Sequence, residues 1–412
     1  MHIDRVIATS VLDTRGRPTV ATTLSADAVQ ATASIPSGKS TGSHEAFELR
    51  DTDGGVARAI KNVNEEIATA LVARNFDSLD ALDTFLVGLD GTTDKSRLGA
   101  NAILSVSIAA MRLSALEEDM PLWSAIAKRA GTTPSAPHLY VNVINGGAHA
   151  DFRLPFQEYL LVVDGKTTKP ARGDSSGGSE PLRSAFSIAR EIFTKIGERL
   201  SAGVPMGDEG GYAPMFDTLE EPLVILASLT AKYPGTAVAI DAAADELFRD
   251  GAYQLFGKTY TAEELFRLYE NLATRFPFHS IEDPFFEGAA DDFTRLTAAL
   301  GEKILIIGDD LTVTNPVRIT DAARNKEINA VLIKPNQIGT VREAILAVQE
   351  TYAAGFKAIA SNRSGETDDT FIADFAYGIG AYGIKAGGFA QRERLVKYER
   401  LLAIEREAES VA

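Results

Sequence analysis

Residues 304–334 read ILIIGDDLTVTNPVRITDAARNKEINAVLIK: an apolar run closed by two aspartates, an amphipathic middle, and a second apolar run closed by a lysine. A short apolar run followed by a segment of helical period and then another such run is the pattern of βα units in a parallel sheet. The same pattern extends to both sides, in AVAID (237–241), HSIED (279–283), KAIAS (357–361) and YGIK (382–385). These six runs predict successive strands of a parallel barrel, where chemistry gathers at the C-terminal strand ends. One polar residue closing one strand is most simply a solvated loop residue. Repetition over consecutive units points to a shared site.

Outward from this region the pattern changes. The first twenty or so residues alternate apolar and polar positions, in RVIATSVL and PTVATTLS, around Asp-Thr-Arg-Gly, which predicts an antiparallel hairpin. VARAIKNVNEEIATALV, SLDALDTFLVGL and NAILSVSIAAMRLSALEE carry apolar residues at three- and four-residue spacing and predict helices. An α+β domain over 1–130 is therefore expected, then a Gly/Thr/Pro-rich linker, GTTPSAP (131–137), then a barrel domain over 138–412. The stretch 166–180, KTTKPARGDSSGGSE, has the composition of a flexible surface insertion.

Composition narrows the chemistry. The 412 residues include no cysteine, which excludes disulfides, thiolate metal sites and thiol nucleophiles, and leaves carboxylates, lysines and five histidines. The net charge of −16 argues against a nucleic-acid surface. The start lacks a basic region followed by an apolar run, and no stretch has eighteen uninterrupted apolar residues, so no membrane association is expected and a cytoplasmic location is.

Asp241, Glu282 and Asp309 end three consecutive predicted strands and would meet at one mouth of the barrel. Three hard oxygen ligands suit Mg²⁺, with water and substrate completing its shell. Each of them alone could as well cap the following helix. Lys334 ends the next strand, where desolvation and nearby divalent metal would lower its pKa and make it a general base. Arg363 and Ser364 in NRSGET, and Lys385 at the last strand end, supply a local positive field for an anionic substrate.

Over almost its whole length the chain resembles enolase, through DTRGRPTV, SIPSGKSTGSHEAFELRD, NAILSVS, NVINGGAHAD, QEYLLV, GDEGGYAP, SIEDPF, GDDLTVTNP, KPNQIGT, NRSGETDDTFIAD and IKAGG. The resemblance implies an α/β architecture: an N-terminal α+β domain docked on a modified TIM-like (β/α)8 barrel whose second strand runs antiparallel. It implies two Mg²⁺ per active site, a homodimer or ring of dimers, and interconversion of 2-phosphoglycerate and phosphoenolpyruvate. Carried over motif by motif, Asp241, Glu282 and Asp309 match the metal ligands, and Lys334 matches the base. Glu209 in GDEGG matches the acid, with Glu158 in QEY close by and its pKa expected to be raised by that neighbour. His149 in GGAHAD matches a closing-loop residue. Ser40 in SGKST matches the lid residue that reaches the second metal, Arg363 and Ser364 the phosphate grip, and Lys385 the contact to the substrate carboxylate.

Three positions depart from the family pattern, and all fall at the substrate end. Asn362 stands where a histidine is usual; an amide keeps hydrogen bonding but cannot carry a proton charge at neutral pH. Lys39 replaces a small residue of the lid, where it would either touch a more anionic substrate head or point into water. Lys385-Ala386-Gly387-Gly388 lacks a hydroxyl and a methyl usual in the motif. These changes motivate an alternative: an enolase-like enzyme of phosphinothricin-type pathways, forming carboxyphosphonoenolpyruvate from a phosphonoformyl-glycerate. Two further alternatives are a non-catalytic binding protein on the same scaffold and a sugar-acid dehydratase, the latter opposed by the phosphate-gripping Arg363-Ser364. Gly38-Lys39-Ser40 resembles the end of a P-loop, but Ala33 stands where that motif requires glycine. His44, His138 and His279 lack carboxylate partners at metal-ligand spacing and read as structural.

Overall fold

The computed structural model describes residues 1–72, 74–166 and 181–411. Most of the expected surface insertion thus lies outside the described residues.

The N-terminal hairpin extends into a three-stranded antiparallel meander, β1 (Arg5–Leu12), β2 (Pro18–Ala26) and β3 (Val29–Ser34). Its first turn is organised by Asp13, whose Oδ1 accepts from the backbone N–H groups of Arg15 (2.9 Å) and Arg17 (2.8 Å). The predicted helix over 56–72 is interrupted by a π-turn at Val63–Ile67. Within that turn Asn64 both donates to and accepts from the backbone of Ala8 (3.0 and 2.7 Å), so it satisfies part of the exposed edge of β1. The helix Ala100–Glu117 packs on β2 and β3. It is long and apolar enough to cross a membrane, but 83% of that window is buried inside the folded chain.

Residues 131–137 lead into an eight-stranded closed barrel. In chain order its strands are β4 (His138–Asn145), β5 (Glu158–Val163) and β6 (Thr236–Asp241). A small outer sheet follows, made of β7 (Phe248–Arg249), β8 (Ala252–Leu255) and β9 (Lys258–Tyr260). The barrel then continues with β10 (Phe278–Glu282), β11 (Leu305–Gly308), β12 (Ala330–Ile333), β13 (Lys357–Ser361) and β14 (Gly383–Lys385), which pairs back onto β4. The six apolar runs read from the sequence form β6 and β10–β14. β5 runs antiparallel to both β4 and β6, and the other barrel pairings are parallel.

Tyr140, Leu160, Val162, Ala239, Ile307, Ala330, Leu332 and Ile359 fill the barrel interior as a cluster separate from the core under the helices. Because side chains alternate along a strand, the residue two positions beyond each interior side chain also faces the axis. Ala239 is thus followed by Asp241, Ile307 by Asp309, Leu332 by Lys334 and Ile359 by Ser361, while in the reversed β5 Glu158 precedes Leu160. The fold stacks a ring of charged groups directly on an apolar plug.

Candidate active site

The ring is held in register by backbone pairing. Asp241 pairs with Glu158 of β5 on one side and Glu282 of β10 on the other, so three carboxylates stand on neighbouring strands. All are buried, and the ammonium of Lys385 lies among them, 2.9 Å from Asp241 Oδ2, 2.9 Å from Glu282 Oε2 and 2.8 Å from Glu158 Oε2. One strand further round, Lys334 donates to Asp309 Oδ2, and Gln337 Nε2 donates to Asp309 Oδ1 at 2.9 Å.

Electrostatics follow from this crowding. Burial and the neighbouring Asp241 push Glu282 well above the usual carboxylate range, outweighing Lys385. Burial would also raise Asp309, but Lys334 holds it below its ordinary value. Lys385 is pulled down by burial and pushed further up by Asp241, Glu158 and Glu282, ending well above an ordinary lysine. Burial lowers Lys334, but among the chain's own groups Asp309 and Glu282 prevail and raise it; the lowering expected of it is that beside bound divalent metal.

Glu158 also belongs to a second group, with Glu209 and His149. His149 Nδ1 lies 3.4 Å from Glu158 Oε1 and 3.8 Å from Glu209 Oε1. The expected raising of Glu209 is corrected. Burial and the charge of Glu209 raise Glu158, whereas Glu209, despite its burial, is held low by His149, Arg394 and Lys385.

Gly38, Ser40, His149, Gln157, Glu158, Glu209, Asp241, Lys334, Ser361, Asn362, Arg363, Ser364 and Lys385 line one pocket of about 280 Å³. It brings together ten of the residues singled out from sequence; Glu282 and Asp309 join through their ion pairs to Lys385 and Lys334. Lys39 is not in this lining. Its Nζ donates to Ala148 O and Asp208 Oδ2, both at 2.7 Å, on the pocket rim, since the interior already concentrates Lys334, Lys385 and Arg363 while the rim offers a carboxylate.

Several residues that shape the site carry no local sequence signal. Asp283, with φ +39°, accepts from the backbone N–H of Asp309 (2.9 Å) and of Asp310 (2.8 Å), and so aims the loop that bears Asp309. Arg394, fully buried in the last helix, donates to the carbonyls of Arg363, Ser364 (2.7 Å) and Asp208 (3.2 Å), tying two loops of the site together. Gln157 Oε1 and Asn362 Oδ1 are buried in the pocket wall without a hydrogen-bond partner among the described residues. At the other end of the barrel His138 Nδ1 has a carboxylate after all, Asp164 at 3.2 Å, which sequence spacing did not reveal.

The donor set fits a hard divalent cation. Asp241, Glu282, Asp309 and Glu158 put more buried carboxylate in one place than Lys334 and Lys385 neutralise, as the raised Glu282 records, and oxygen-only ligands are what Mg²⁺ takes. Two family models match the chain: the enolase N-terminal domain over residues 3–126 and the enolase C-terminal TIM barrel domain over 134–412. With the two matched regions spanning nearly all of the sequence, and the barrel carrying the reversed second strand expected of this architecture, the chain belongs to the enolase family.

Proposed function

We propose that the protein is a Mg²⁺-dependent hydro-lyase that removes water from 2-phosphoglycerate, or from a close phosphorus-containing analogue, to give an enolpyruvate product. One observation carries this reading: Lys334 and the Glu209–Glu158–His149 group line the same pocket as Asp241, with Glu282 and Asp309 ion-paired to the pocket's Lys385 and Lys334. A base and an acid on one pocket are what stepwise elimination requires.

Asp241, Glu282 and Asp309, with Ser40 from the lid, would hold two Mg²⁺, which supply positive charge to a substrate carboxylate whose neighbouring carbon is losing a proton. A lysine base working beside Mg²⁺ is a recurring arrangement in the enolase superfamily. Lys334 takes the proton from carbon 2. Glu209 and Glu158, with His149 beside them, form the acid side: the proton favoured on Glu158 passes by way of the Glu209 carboxylate to the hydroxyl leaving carbon 3. Lys385 positions the substrate carboxylate, and Arg363 and Ser364 receive the phosphoryl group.

The test is deuterium uptake at carbon 2 of 2-phosphoglycerate in D₂O with Mg²⁺, alongside enolpyruvate formation. Wild type performs both, Lys334→Ala neither, and Glu209→Gln exchanges without eliminating. No exchange by wild type on any phosphorylated glycerate would sink the reading and favour a non-catalytic scaffold. A phosphonoformyl-glycerate, as in carboxyphosphonoenolpyruvate synthesis, is the second reading, favoured by the unpartnered Asn362 Oδ1 where the family has an imidazole. A higher kcat/KM for it than for 2-phosphoglycerate would establish that alternative.

A further inference from the structure

We infer that Lys39 is a latch, a positioning residue that holds the loop 36–42 down against the opposite rim of the pocket. The loop is hinged at its base, where Ser37 and Gly365 exchange two backbone hydrogen bonds of 2.8 Å. Along its inner side it lies hard against Arg363: a Cβ at Gly38 would come within 2.1 Å of Arg363 Nη2, which donates to Ser40 O at 3.2 Å. Only Lys39 reaches across, and its two acceptors sit on loops that are already joined to each other by Asp208 N–H to His149 O at 3.0 Å.

The placement is specific in sequence as well as in space. Lys39 precedes Ser40, Ala148 precedes His149 and Asp208 precedes Glu209, so the latch ties together the immediate neighbours of three pocket residues. The rim it grips is fixed from behind, because Arg394 donates to Asp208 O and to both Arg363 O and Ser364 O. The latch itself is not fixed. Its two side chains are 36% and 31% exposed, and an ion pair so open to water and salt biases a loop only several-fold. That strength suits a closure that must open each time the pocket loads or empties.

Hydrogen exchange of peptides spanning 36–43, in the full chain without metal or substrate, tests the latch independently of any reaction. Lys39→Ala should speed exchange there by about two- to five-fold, Asp208→Asn should do the same, and the double variant should add little to either. Lys39→Arg should restore protection, and high salt should erase the difference between wild type and Lys39→Ala. Unchanged exchange in both single variants, additive effects, or a difference that persists in high salt would overturn the proposal. Because the readout needs no turnover, a failed latch and a failed lyase assignment give different results.

Discussion

Arg363 is held in a two-pronged ion pair by Glu45, Nη1 to Oε2 and Nη2 to Oε1, each at 3.0 Å, with Asn336 Oδ1 a further 2.9 Å acceptor. Both side chains are nearly buried, at 4% and 10% exposure. The proposed phosphate grip is therefore a guanidinium whose charge is already partly matched by the loop that follows the lid. Truncating one member of a buried pair leaves the other uncompensated, so Glu45→Ala should lower unfolding free energy by about 3–5 kcal/mol in urea titrations. Replacing both together, Glu45→Gln with Arg363→Met, should cost less than Glu45→Ala alone.

Gly388 marks a close approach of three backbone segments. A methyl there would meet Gly210 O at 2.3 Å and Asn142 O at 2.5 Å, while the Gly388 N–H donates to Glu209 O at 2.7 Å. The methyl missing from this motif is thus excluded by contact with backbone, which cannot swing aside. Gly388→Ala should cost about 1–3 kcal/mol of stability. It should also move Glu209 and reduce kcat by the order of ten- to a hundredfold with a smaller change in KM.

The pH dependence of stability has a predictable sign on the acid side. Burial, with His138 nearby, lowers His279 to about 4 from its ordinary 6.5, and His138 is lowered in the same direction by burial. Between those values the unfolded chain takes up protons that the folded one refuses, so stability is complete above about 6.5 and declines as pH falls toward 4. The loss from His279 should be at most about 3 kcal/mol. Urea unfolding at pH 7 and pH 5 checks this, and His279→Gln should reduce the difference.

Binding of Mg²⁺ should appear as thermal stabilisation before any substrate is added. At a hundredfold excess over Kd, wild type should gain about 2.7 kcal/mol. Asp241→Asn removes the carboxylate that sits between Glu158 and Glu282 in the register and should lose most of this gain. Lys334→Ala should keep the gain while abolishing exchange at carbon 2, separating metal binding from proton removal.

The strand ends were legible because the signal is local. A buried parallel strand must be apolar for a few residues and then meet water, and the alternation of side chains fixes which terminal residue faces the axis. Asp241, Glu282, Asp309, Lys334 and Lys385 could accordingly be named from the runs that precede them. The π-turn at Val63–Ile67 was not legible, since its cause is the contact of Asn64 with Ala8 across 56 residues. The same holds for Arg394, whose carbonyl partner Asp208 lies 186 residues away.

The division follows the range of the forces involved. Hydrophobic period, a property of short segments, read six of the eight barrel strands and the residues that crown them, while β4 and the reversed β5 with Glu158 were implied only by the resemblance to enolase. Tertiary structure alone decided the direction in which each proton affinity of the crown is pushed and the direction in which Lys39 points. Proton affinity depends on every charge within a few ångströms, and those charges come from strands and loops that only folding brings together. Glu209 was expected to be raised and is held low, Asp309 and Glu282 push Lys334 up where burial alone would pull it down, and Lys39, for which substrate and open water were the alternatives, bonds the rim.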